Sequence, residues 1–286
     1  MERLRPLLEV VRLDRALLAP CAVFVGSSFA RYDAQPGPGF PAHVVVSVAA
    51  LLAAVGVELI DLAWDLWGAE ADGAIDARDA AIVGSLALVT ALLVAAILVP
   101  LSGSAAVGYG LVAILLGIVR GMPVVGLDGL GRGLGDAANV AALGPLAVLA
   151  GFASQCGHGS LGAAILGVPV GFIAAGVLYL RHFTRADADA RHERQTPVAI
   201  LGEDQARLGL PLFPLLAIVA LVLIVAAEEG PRGLLAAGVP LAALAALGWR
   251  AARDPSTDLA RFGWTASIVA GIAMITLAVA LRLAVR

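Results

Sequence analysis

Three carboxylates, Glu58, Asp61 and Asp65, stand at i, i+3 and i+7 at the end of an apolar stretch. On a helix they fall within about 60° of one another, so one face presents all three. Like charges this close repel unless they share a cation. Hard oxygen donors of this kind suit Mg2+, which binds through one or two carboxylates plus substrate phosphates. A second acidic pair, Asp187 and Asp189, lies among Arg181, Arg185, Arg191 and Arg194. If that segment is helical, Asp187 points about 160° away from Asp189. There is no phosphate-binding Gly-Lys loop and no His/Cys ligand cluster. The simplest partner is therefore a diphosphate brought by the substrate and held through the metal.

The elements that must carry these groups are membrane helices. The chain has 286 residues, 60% of them hydrophobic and 14% charged, with mean hydropathy +0.93. A soluble domain carries roughly a quarter charged residues, and one membrane span needs about 20 apolar ones. Nine spans are expected, near 15–30, 41–64, 80–101, 104–119, 136–156, 160–180, 209–227, 233–249 and 263–283. They form one polytopic, all-α membrane domain over 1–286, with acidic segments at 58–79 and 181–207. The second segment sits four helices after the first, which hints at a weak internal duplication. The charged N-terminus ahead of an apolar run is read as the first span rather than as a cleaved signal, because cleavage would leave an even number of spans. Cys21 and Cys156 lack the clustered spacing of a disulfide framework or a zinc site and are expected to be inert thiols.

All 19 basic residues are Arg. With the N-terminus inside, 15 lie on inside segments and 4 (Arg31, Arg232, Arg282, Arg286) on outside ones. The positive-inside rule then expects a cytoplasmic N-terminus, an outside C-terminus and both acidic segments facing the cytoplasm. Trp64, Trp67, Trp249 and Trp264 fall at cytoplasmic span ends, where indoles anchor. Most of the arginines are read as such anchors. Asp72, Asp76 and Asp79 read as a solvated helix end, and His182 and His192 as loop histidines in water. Asp136 reads as a cap of the fifth span. His43 and His158 carry no functional reading.

The stretch 181–189 (Arg-His-Phe-Thr-Arg-Ala-Asp-Ala-Asp) with 194–202 (Arg-Gln-Thr-Pro-Val-Ala-Ile-Leu-Gly) resembles the second motif of the UbiA superfamily of intramembrane prenyltransferases. In that motif a DxxxD is followed by a short basic stretch and a Thr-Leu-Pro/Ala-Val…Leu-Gly run. Arg132-Gly133-Leu134-Gly135-Asp136 is similar to the Arg-Gly-Leu-Gly-Glu of the MenA branch, which prenylates 1,4-dihydroxy-2-naphthoate. Gly144 to Leu149, with Gln155 and Gly157, resembles the span that follows it. The first acidic segment is similar to the family's Asn-Asp-x-x-Asp, with Asp65 on the last Asp. Four positions depart from the pattern. Asp61 stands for Asn, Leu62 for Asp, Arg185 for the first Asp of the second motif, and Glu193 for a usual Gly.

The resemblance implies a UbiA-like bundle in the inner membrane with its active side cytoplasmic. It also implies Mg2+-dependent transfer of a polyprenyl group from an allylic diphosphate to an aromatic acceptor, as in menaquinone biosynthesis. Asp61, Asp65 and Asp189 would be the catalytic metal ligands, with Glu58, Arg185 and Arg132 contacting the substrates. Expected partners are a polyprenyl diphosphate, the aromatic acceptor and the lipid bilayer, and no nucleic acid. Two other readings stand: a degenerate homologue that binds lipid or quinone without turnover, and a transporter. Transporters place acids near mid-membrane on broken helices, whereas these lie near helix ends.

Overall fold

The computed structural model describes residues 12–33, 37, 39–67, 76–122, 126–130 and 133–285. Among these residues the chain is all-α. Eight helices are long and apolar enough to cross a membrane. They are α1 (Leu13–Tyr32), α2 (Phe40–Leu66), α3 (Ala77–Ser102), α5 (Leu134–Cys156), α6 (Leu161–Thr184), α7 (Glu203–Ala226), α8 (Arg232–Arg253) and α9 (Arg261–Leu283). The helix between α3 and α5, α4 (Ala105–Gly121), has 17 residues, at the short limit of about 17 for a span. All nine expected spans are therefore helices, most of them a few residues longer than their apolar runs.

Side-chain size decides which helices sit inside. α1 carries mostly small residues on the faces that meet α5 and α9. A Cβ added at Gly26 would run into the Val148 carbonyl oxygen, and one added at Gly151 into that of Val23. The two backbones touch there, the usual packing solution in lipid. α6 packs between α5 and α7, with Ile173 and Val177 fully buried. α2 lies along α3, whose outer face presents Ile82, Leu86, Val89 and Leu93 as one exposed apolar stripe. A stripe at this spacing is a lipid-facing surface in a membrane helix.

Helix ends follow local chemistry. Asp76 caps α3, its side chain accepting from the Arg78 N–H at 3.0 Å, so this acid serves the helix start. At the start of α5 the cap position belongs to Gly133, in the left-handed conformation at φ 79°. Asp136 sits in the first turn instead, where the helix dipole favours an anion. The expected Asp136 cap is thus corrected: its carboxylate is taken by His182. Midway along α5, a π turn over Ala142–Leu146 contains Pro145, whose missing N–H the wider turn accommodates. Cys21 and Cys156 are free thiols, as expected.

At one end of the bundle the ends of α2, α4 and α6 come together with the starts of α1 and α5. The segment after α6 folds over them as two short helices, Ala186–Arg191 and Pro197–Leu201. Pro197 starts the second of these and Gly202, at φ 78°, ends it.

Candidate functional site

The last turns of α2 bring Asp61 and Asp65 inward, 1% and 6% exposed. The spacing predicted one shared face, and the helix delivers it. α4 contributes Arg120 and α6 contributes Arg181. The linker past α6 adds Arg185, Asp189 and Arg194. Asp189 is buried and Asp187 exposed, as the helical spacing required. Asp128 comes from the short helix Leu127–Leu130. The Gln195 N–H donates to the Asp128 carbonyl at 2.7 Å, which ties this helix to the linker.

These eight side chains pair with one another. Arg120, Arg181 and Arg185 all donate to Asp61 Oδ2, Arg185 at 3.1 Å. Arg185 Nη1 also lies 3.0 Å from Asp65 Oδ2. Arg194 Nη1 sits between Asp65 Oδ1 (2.7 Å) and Asp189 Oδ1 (3.1 Å), while its Nη2 donates to the Gly121 carbonyl at 2.8 Å. Arg120 Nη1 reaches Asp128 Oδ2 at 3.3 Å. Four aspartates face four arginines, so the formal charges sum to zero. Burial raises the Asp128 carboxyl above the usual range, against the pull of Arg120. Burial likewise lowers Arg185, which Asp65 counteracts.

Two glycines make room for the carboxylates. A Cβ at Gly121 would meet Asp61 Oδ1, and one at Gly135 would meet Asp128 Oδ1. Asp61 Oδ1 is buried there without a hydrogen-bond partner.

From this cluster a cleft runs between α1, α2, α3, α4, α5 and the end of α6, with a cavity of about 150 Å3. Its polar end is Arg15, Glu58, Arg120, Arg181 and Asn139, and the rest of its wall is apolar. Along α4 the lining extends from Ala106 to Arg120, roughly 21 Å at 1.5 Å per residue. Glu58 is the one carboxylate on the described wall, and no arginine hydrogen-bonds to it. Arg15 is 7% exposed and its Nε has no hydrogen-bond partner.

Asp61, Asp65, Asp189 and Arg185 come together, and Glu58 lines the adjoining cleft. Arg132 lies outside the described residues, as does Asp72. The expectation that Asp61, Asp65 and Asp189 share Mg2+ does not fit the side chains. Guanidinium groups stand between these carboxylates, and no three metal-capable side chains converge among the described residues. His182 is not a solvated loop residue: it is buried in the last turn of α6 with Nε2 3.1 Å from Asp136 Oδ1. Arg120, Arg181 and Arg194 are not interfacial anchors but buried ion-pair partners. Asp128 and the pairing role of these arginines were missed. The available signal was numerical: buried charge must be balanced, and the span ends supply arginine and aspartate in matching numbers.

No family model matches the sequence, and no curated protein does. Solved structures do share the bundle. A UbiA homologue from Archaeoglobus fulgidus has 15% identity and TM-score 0.65, over 99% of this chain and 100% of that one. The same fold, bound to GPP and Mg2+, has 14% identity and TM-score 0.62, with coverage of 99% and 100%. A digeranylgeranylglyceryl phosphate synthase has 13% identity and TM-score 0.59, covering 100% of this chain and 99% of that one. The chain therefore has the fold of the UbiA homologues, along its whole length.

Proposed function

We propose, from a chain with the UbiA-homologue fold, an enzyme that transfers a polyprenyl group from an allylic diphosphate to an aromatic acceptor within the membrane. The observation that carries this reading is the cleft: an apolar channel between helices that ends in a cluster of guanidiniums. An isoprenoid tail fits the apolar wall, and a diphosphate fits the arginines, whose planar forks suit phosphate oxygens. The solved homologue bound to GPP and Mg2+ supports the same substrate class. The motif resemblance favours 1,4-dihydroxy-2-naphthoate as acceptor and an active side facing the cytoplasm.

In this mechanism the bond between C1 and the diphosphate oxygen breaks, and the diphosphate leaves with the electron pair. Guanidinium groups stabilise the charge that develops on it. The allylic cation is attacked by an electron-rich ring carbon of the acceptor, which then loses its proton. Glu58 lines the cleft without an arginine hydrogen-bonded to it and is the proton acceptor in this scheme. Mg2+, with which the homologue was solved, would when bound supply further charge neutralisation.

The test is product formation. Purified protein in nanodiscs, given a polyprenyl diphosphate and dihydroxynaphthoate, should yield the prenylated dihydroxynaphthoate by mass spectrometry. Glu58→Gln should lower kcat by roughly 10²–10⁴, the range for a lost general base. No product from any aromatic acceptor would overturn the enzyme reading. Retained diphosphate binding without product would favour the non-catalytic lipid-binding reading, since every aspartate of the cluster already holds an arginine.

A further inference from the structure

We infer that the site binds the diphosphate head of its substrate through arginines without requiring Mg2+, an inference that rests on the function proposed above. Mg2+ demands near-octahedral oxygen ligands at about 2.0–2.1 Å and gives up its waters reluctantly. Most of the aspartate oxygens that could serve are occupied. Asp65 has Arg194 on one oxygen and Arg185 on the other. Asp61 Oδ2 accepts from three guanidiniums. Its other oxygen is wedged against Gly121, where even a methyl group would not fit. A bridging ion between Asp65 and Asp189 would need the position that Arg194 Nη1 holds. With four aspartates set against four arginines, the cluster has no negative charge left to attract a dication.

Donors for an anion remain. A guanidinium carries five N–H groups and can hold a carboxylate and a phosphate together. Arg185 commits only Nη1, and its side chain is 23% exposed, the most open of the four. Arg194 Nε and Arg15 Nε are buried without partners. Arg15, Arg120 and Arg181 line the cleft where an amphiphile's head would lie. The site therefore offers N–H groups to a diphosphate, and Glu58 is the one carboxylate of the described cleft wall left to a metal.

The experiment uses the full chain in nanodiscs and geranylgeranyl thiolodiphosphate, whose sulfur bridge resists ionisation, as the calorimetric probe. Kd should differ by less than about threefold between excess EDTA and excess Mg2+, under 0.7 kcal/mol. Mn2+ added alone should show no stoichiometric site by electron paramagnetic resonance. Arg185→Gln should weaken binding about tenfold in both media, and Arg185→Lys should restore part of the loss. A loss of tenfold or more in EDTA that Mg2+ reverses would overturn the inference while leaving the substrate class standing. So would a stoichiometric Mn2+ site, or an Arg185→Gln variant that melts like the parent and binds with unchanged affinity. No binding in either medium would instead overturn the prenyl-diphosphate reading, and this inference with it.

Discussion

The two ends of the bundle close by different chemistry. At one end, eight aspartate and arginine side chains are buried among one another. At the other, helix ends are tied by neutral contacts. Gln155 exchanges two hydrogen bonds with the Gly39 backbone, at 3.2 and 3.3 Å. Ser27 Oγ bonds to the Val23 and Gly151 carbonyls, and His43 Nδ1 lies 3.3 Å from it. A guanidinium there, Arg282, bonds to Ser28 Oγ at 3.1 Å and lies over the Phe24 ring. Neutral bonds suffice to close a bundle, at about 1 kcal/mol each. Burying charge is a poor route to stability, because desolvation offsets the attraction. The packing of the charged end must be precise, because a broken pair there is expensive.

That difference can be broken most severely at Arg194, which joins α2, the end of α4 and the linker through four hydrogen-bond contacts if the Asp65, Asp189 and Gly121 bonds and its own N–H to the Asp189 carbonyl are taken together. Arg194→Ala leaves Asp65 and Asp189 buried with less compensation and should cost about 3–5 kcal/mol, read as a lower melting temperature in nanodiscs. Arg194→Lys keeps the charge but not the fork, and should fall between the two. A variant that melts like the parent would mean that the cluster is solvated, not buried.

A smaller effect is expected at Gly121. The methyl group of Gly121→Ala would displace Asp61 Oδ1, at an overpacking cost of about 1–3 kcal/mol. Asp61 holds Arg120, Arg181 and Arg185, so probe affinity should fall along with stability. A loss of stability with unchanged affinity would separate Asp61 from the ligand site.

The opposite end supplies the contrast. Gln155→Ala removes two hydrogen bonds to Gly39 and should cost about 1–2 kcal/mol. It should leave diphosphate affinity and turnover unchanged, because it lies at the far end of the bundle from the cluster. A change in affinity would show that the two ends are coupled.

Much of this contrast is legible in the sequence, for identifiable reasons. Apolar runs fix the helices, since lipid leaves the backbone no alternative. Helical spacing alone puts Asp61 and Asp65 on one face and turns Asp187 away from Asp189. What the sequence does not carry is direction. Arg120 and Arg181 end apolar spans, where an interfacial anchor and a buried ion pair look the same. Only the meeting of α2, α4 and α6 turns them inward. His182 is similar: its burial depends on α5 arriving with Asp136. The arginine partners escaped the sequence reading by the same route, because a carboxylate stripe calls for a cation without specifying Mg2+ or guanidinium.

The smallest effect lies on the linker that covers the charged end. Glu193 has φ 52°, in the left-handed region that a side-chain-bearing residue enters at a cost. It stands where the resembling motif has Gly, and the turn keeps the conformation that Gly would take freely. The reason is the ring of contacts on either side. The Arg194 N–H donates to the Asp189 carbonyl at 2.9 Å, and the Gln195 N–H to that of Asp128 at 2.7 Å. The chain must reverse at 193 for the Arg194 side chain to reach Asp65. Glu193→Gly should therefore stabilise the protein by about 0.5–1 kcal/mol, the relieved strain exceeding the greater entropy of Gly in the unfolded chain. Thermal melting should show the gain with probe affinity unchanged, since the Glu193 side chain is exposed and makes no ion pair with the cluster. A destabilised variant would mean that Glu193 supports the linker through its side chain, and that the strain is compensated locally.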